Sequence, residues 1–108
     1  MANKKPLKCP WAFLDEYRGT IFSGQWPTLP EMFTITVKRN ENRNCFTEFE
    51  PNRHTLSYKQ VYTNVQQLSQ WMLENGIQKG DRIAVTGKNS PEWATVYLAA
   101  GFAGAIIV

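Results

Sequence analysis

The sequence predicts an α/β chain in which a short β-hairpin is followed by helix, strand, helix and strand, with the two later strands parallel. Three observations carry this. Tyr58, Val61, Val65, Leu68 and Met72 recur every three or four positions, the spacing of one helix face. Two short apolar runs, Ile83–Val85 and Ala105–Val108, each follow a turn containing glycine. Ser90-Pro91 starts a second helix between them, with Ser at the cap and Pro at the first helical position. Strands and helices that alternate in this order give parallel strands covered by helices on both faces.

The elements follow in order. Residues 1–27 read as an irregular or weakly helical lead-in. Its Trp11, Phe13, Tyr17, Ile21, Phe22 and Trp26 are spaced loosely enough to drape over a larger body. Pro27 and Pro30 bracket a turn, and Thr28 caps a short helix through Leu29 to Phe33. Residues 38–44 (Lys-Arg-Asn-Glu-Asn-Arg-Asn) read as a polar loop. Cys45 to Phe49 is a short strand, Glu50 to His54 a turn, and Thr55 to Ser57 a second strand pairing back on the first. Ser57 and Gln60 have capping-box spacing, and Leu56 and Val61 that of a hydrophobic staple. Asn75 and Gly76 end the long helix, with Ile77 placed for a closing apolar contact. Lys79 to Asp81 is a turn, and Gly87 to Ser90 the exit loop of the strand Ile83–Val85. The second helix runs from Pro91 to Phe102 with almost no polar face, and Gly104 turns the chain into the last strand. That strand lacks flanking neighbours of its own, so the chain reads as a portion of something longer.

Composition excludes several function classes. Twelve basic and nine acidic side chains leave a net charge of +3 in 108 residues, with Lys4, Lys5 and Lys8 supplying much of the excess as a solvated tail. Nucleic-acid binding calls for a denser basic face interleaved with aromatics. Cys9 and Cys45 form no Cys-x-x-Cys pair, and His54 completes no metal site with them at a familiar spacing. A reduced, intracellular setting fits this cysteine usage. Met1 to Pro10 is polar and basic, unlike a secretory signal. Trp93 to Val108 falls short of the roughly 20 residues a spanning helix needs, so a buried helix plus strand is favoured over a membrane anchor.

Candidate chemical motifs also fail. Gly80 and Gly87-Lys88 lack Walker spacing, and Asn89 follows the lysine where Ser or Thr is required. Gly101-Phe-Ala-Gly104 ends a helix, whereas a dinucleotide fingerprint precedes one. Asp15 and Glu16 are adjacent, a poor spacing for paired acid–base work. Ser57 is close to His54 in sequence but is better explained as a helix cap. No catalytic, cofactor-binding or metal-ligating residue is assigned.

Four features in order nevertheless resemble one family. They are Thr55-Leu-Ser-Tyr58 leading into a long helix, the Gly76 to Ile83 turn containing Gly80-Asp-Arg-Ile83, the helix start Asn89-Ser-Pro-Glu-Trp93, and the strand Gly104-Ala-Ile-Ile-Val108. Together they resemble the AMP-forming acyl-CoA synthetases of the adenylate-forming superfamily, over residues 28–108. Leu29-Pro30-Glu31-Met32-Phe33 and the aromatic lead-in are similar to the long-chain fatty acyl-CoA ligases. The resemblance implies that residues 28–108 are an incomplete amino-terminal portion of an AMP-binding domain.

It further implies a parent enzyme that uses ATP, magnesium and coenzyme A. ATP and a fatty acid would give an acyl-adenylate and pyrophosphate, and coenzyme A would then displace AMP. The phosphate loop ending in Pro-Lys-Gly and the carboxy-terminal lysine of that family do not occur in these 108 residues, so this chain alone is expected to be inactive. The implied partner is the remainder of the parent, in the cytoplasm or peripheral to the inner face of a membrane. The apolar strand Ala105–Val108 is expected to support self-association. A competing reading is a short scaffolding module that recruits a partner through its exposed sheet edge.

Overall fold

A computed structural model of the protein describes residues 10–108. The basic cluster Lys4, Lys5 and Lys8, and Cys9, lie outside the described residues. From Leu29 onward the element order is α1 (Leu29–Asn40), β1 (Asn44–Glu48), β2 (His54–Ser57), α2 (Tyr58–Glu74), β3 (Arg82–Ile83), α3 (Pro91–Phe102) and β4 (Ile106–Ile107). The α/β order of hairpin, helix, strand, helix and strand is present, and β3 and β4 are parallel.

Ahead of α1, residues 12–17 form one 3-10 helix, and Leu14 and Phe22 are buried against Ile35 of α1. Helix α1 is longer than its sequence suggested. It continues through Lys38, Arg39 and Asn40, so the expected polar loop at 38–44 shrinks to the turn at 41–43. Two causes are visible. Thr28 and Glu31 form a reciprocal capping box, with the Glu31 N–H donating to Thr28 Oγ1 at 3.3 Å and the Thr28 N–H to Glu31 Oε1 at 2.8 Å. The β-branched run Thr34-Ile-Thr-Val37 then stays helical because Ile35 and Val37 are buried. Thr34 and Thr36 donate their hydroxyls back to the Pro30 and Met32 carbonyls. Packing overrides weak propensity here.

Strands β1 and β2 pair antiparallel, Glu48 facing His54 and Phe46 facing Leu56, with a register shift between Asn44 and Phe46 that leaves Cys45 as the extra residue of a bulge. Thr47 and Thr55 join their hydroxyls across the pair at 3.2 Å. Ser57 caps α2 as its spacing predicts: the Gln60 N–H donates to Ser57 Oγ at 3.1 Å, and the Ser57 N–H to Gln60 Oε1 at 2.8 Å.

Both long helices of the α/β unit end the same way. At α2 the Ile77 N–H reaches the Met72 carbonyl at 3.0 Å and the Gly76 N–H reaches Leu73 at 3.3 Å. At α3 the Ala105 N–H reaches Ala100 at 2.9 Å and the Gly104 N–H reaches Gly101 at 3.1 Å. Each is a Schellman closure, with Gly76 and Gly104 at φ +94° and +81°. Helix α3 runs over Pro91–Phe102 as expected, with Ser90 Oγ accepting from the Trp93 N–H.

The core lies between α2 and α3, where Val61, Val65, Met72, Ala99 and Ala103 are buried together. Ala99 and Ala103 are small enough to bring the helices close. Phe33 of α1, Tyr62 of α2 and Phe102 of α3 meet with ring centroids 6.1–6.5 Å apart, tying the third helix to the pair. Leu56 and Ile77 close this core at the two ends of α2. The parallel strands are shorter than expected: β3 stops at Ile83, and Ala84 and Val85 already belong to the exit loop. A ladder needs a partner at every rung, and β4 offers β3 only two.

Candidate functional site

Parallel α/β sheets place their ligands beyond the carboxyl ends of the strands, and the chain builds one such edge. The Asp81 carbonyl accepts from the Ile106 N–H at 2.7 Å and the Ile83 carbonyl from the Val108 N–H at 2.9 Å, which fixes β3 beside β4. Residues 84–90 leave the carboxyl end of β3 and enter α3. Gly80 lies at the opposite end of that strand, where its N–H donates to the Gly104 carbonyl at 2.8 Å. Gly80 and Gly87-Lys88 therefore belong to different ends of β3 and cannot make one phosphate loop.

The start of α3 is also a poor anion cradle. Ser90 Oγ already takes the Trp93 N–H at 3.2 Å, and Pro91 brings no N–H at all. What the loop does form is one wall of two hollows on either side of Pro91. The first, about 320 Å³, lies between Cys45–Glu48 of β1 and Asn89–Pro91. The second, about 430 Å³, lies between the β2 residues His54 and Leu56, α2 at Asn64 and Leu68, and α3 from Pro91 to Val96. Pro91 itself is buried.

His54 opens β2 on an exposed position. It stands three residues from Ser57, so their side chains project to opposite faces of the strand, and Ser57 is occupied as the α2 cap. Ser57 is thus not poised as a nucleophile for this histidine. Asp15 pairs with Arg18 at 3.2 Å in the lead-in. Cys45 borders the first hollow, and burial pushes its thiol above the ordinary value of 9.0, the opposite of what a nucleophilic thiolate requires. Among the described residues no three His, Cys, Asp or Glu side chains gather as a metal site.

These donor sets do not fit ATP, magnesium or coenzyme A. The glycines with positive φ stand singly in turns, and at the helix start beside the carboxyl edge Ser90 takes the Trp93 N–H and Pro91 offers none. No catalytic step is derived from them.

The other notable surface is apolar. Leu29 and Pro30 of α1, Tyr97, Leu98 and Gly101 of α3, and Ala105 and Ile107 line a groove of about 270 Å³. Leu29 on its wall is 73 % exposed, and Val108 at the end of the strand is 71 % exposed. Among the described residues, strands β3 and β4 each pair on one side only. Because Ile106 and Val108 turn their N–H groups toward β3, Ile107 turns its own N–H and carbonyl outward. No helix of the described residues is long and apolar enough to cross a membrane. The arrangement is a framework with one polar edge and one open apolar face.

Comparison with known proteins agrees with that framework. The chain is 38% identical over 81 residues to a long-chain-fatty-acid–CoA ligase of Bacillus subtilis, covering 75% of this chain and 14% of that protein. It is 32% identical over 81 residues to the mitochondrial medium-chain acyl-CoA ligase ACSF2 of Rattus norvegicus, covering 75% of this chain and 13% of that protein. The chain therefore spans only a small part of the length of these relatives. Among solved structures, the amino-terminal subdomain of Klebsiella oxytoca NpsA in complex with 3-hydroxyanthranilyl-AMSN superimposes with a TM-score of 0.73. The identity is 24%, over 78% of this chain and 21% of that one, a likeness of fold. The family described as AMP-binding enzyme matches residues 33–108, from within α1 to Val108, and the chain belongs to that family.

Proposed function

We propose that the chain is the amino-terminal α/β portion of an adenylate-forming acyl-CoA ligase, and that its role there is to scaffold rather than to react. The carrying observation is the family match over residues 33–108, which runs the length of the hairpin, α2, β3, α3 and β4. In the whole enzyme the carboxylate oxygen of the acid attacks the α-phosphorus of ATP, and the bond to the pyrophosphate leaving group breaks. The thiol of coenzyme A then attacks the acyl carbon, losing its proton as AMP departs.

The substrate we assign is a long-chain fatty acid. Support comes from the identity to the Bacillus subtilis long-chain ligase and from the Leu29-Pro30-Glu31-Met32-Phe33 segment that opens α1. Such acids partition into bilayers, so the whole enzyme is proposed to work in the cytoplasm, peripherally at the inner membrane face. The remainder of the enzyme is the partner that covers the open strand edges and the apolar groove.

The test is to follow the natural reading frame past the codon for Val108 and assay its product for acyl-CoA formation across acids of graded length. A frame of several hundred codons, with kcat/KM greatest for long acyl chains, is expected. Greatest activity toward a short or aromatic acid would overturn the substrate class. A frame that closes at Val108 would overturn the enzyme reading and favour an interaction module that binds by strand addition at β4.

A further inference from the structure

The segment ahead of the family match packs as part of the molecule. Helix α1 is covered from two directions. Phe33 faces α2 and α3 through Tyr62 and Phe102. Ile35, with no exposed surface, is covered instead by Leu14 and Phe22, with Phe13, Tyr17, Ile21 and Met32 around them. Two arginines secure this second cover. Arg39 of α1 lays its guanidinium over the Phe13 ring, 4.0 Å from the centroid. Arg18 pairs with Asp15 at 3.2 Å, donates to the carbonyls of Gly24 and Gln25, and sits 4.8 Å over the Phe22 ring. One side chain thereby closes residues 15–25 into a loop, reinforced by the Gly19 N–H donating to the Phe22 carbonyl at 2.7 Å.

The pose of α1 matters beyond α1. Its Leu29 and Pro30 form one wall of the apolar groove, and α3 with the chain into β4 forms the other. The walls nearly touch: a methyl group placed on Gly101 would meet Pro30 Cγ at 3.5 Å. Whatever fixes α1 against α3 also fixes the width of that groove.

We propose that residues 11–27 are a strap, closed by Arg18 and pinned by Arg39 on Phe13, that holds α1 against α3 and so sets the groove. The segment upstream of the family match is a positioning element. The test uses the 108-residue chain, reading amide hydrogen exchange and the nuclear Overhauser contacts between Pro30 and Gly101.

Arg18→Ala is expected to speed exchange at Ile35 and Val37 on the order of 10-fold by opening the strap locally. It should also weaken the Pro30–Gly101 contacts, with exchange in α2 from Val65 to Met72 unchanged. Phe13→Leu keeps apolar bulk but removes the ring face, and should speed the same α1 amides about two- to fivefold. Phe13→Tyr restores the face and should return them to the parent rate. Unchanged α1 exchange and unchanged Pro30–Gly101 contacts in Arg18→Ala would overturn the proposal. Equal acceleration of α1 and α2 would overturn it too, because the segment would then be ordinary core.

Discussion

Thr28 and Ser57 do the same work at two helix starts, each hydroxyl taking the backbone N–H three residues on while the residue there reaches back. Ser57→Ala removes one half of such a box and should cost about 1 kcal/mol, read as a lower urea midpoint at unchanged slope. Cys45 gives a second expectation. Burial disfavours its thiolate, so in the Cys9→Ser background disulfide-exchange reagents should label it more slowly than a free thiol, with the pH profile displaced upward. Unfolded chains ionise this thiol near its ordinary value while the fold resists. Stability contributed by the neutral thiol is therefore present below 9.0 and lost as pH rises above it. The spacing of Ser57 and Gln60 announced a capping box, whereas Thr28 was legible only as a cap and the structure adds Glu31 as its reciprocal partner. Only the first stands before an unbroken helical period. The second precedes Thr-Ile-Thr-Val, whose propensity argues for strand, and the burial of Ile35 and Val37 tips that run to helix.

Elements whose information is local were legible, and those that depend on distant neighbours were not. The α2 face, its Gly76 stop and the Ser90-Pro91 start of α3 are each signalled by residues a few positions apart, and all three stand as read. Strand β3 is shorter than its apolar run because strand length is set by the partner, and β4 supplies two rungs. The two hollows beside Pro91 join residues of the hairpin, α2 and α3 far apart in sequence, so no spacing signalled them. Two substitutions probe the elements that hold the frame. Val65 is fully buried between α2 and α3, and Val65→Ala should cost about 2 kcal/mol through lost transfer energy and the void left behind. Gly104→Ala forces an L residue to φ +81° and brings its methyl to 3.3 Å from Lys79 Cγ. A loss of about 1–2 kcal/mol is expected, again from urea unfolding.

At the scale of the molecule, the helices bury a shared core while, among the described residues, the parallel pair stays open on both outer edges. A two-stranded sheet is marginal by itself, and Ile106 and Val108 are 51 % and 71 % exposed. The isolated chain should therefore self-associate with rising concentration, and sedimentation showing a clean monomer at high concentration would contradict this. The same openness, in a chain spanning 13% and 14% of two acyl-CoA ligases it matches, is the basis for treating it as a scaffold. The most direct measurement is fatty-acid-dependent ATP–pyrophosphate exchange, run in parallel on the 108-residue chain and on the product of the natural reading frame. Exchange by the natural product and none by the 108 residues alone is expected. Exchange catalysed by the 108-residue chain, or none by the natural product with any carboxylic acid, would contradict it.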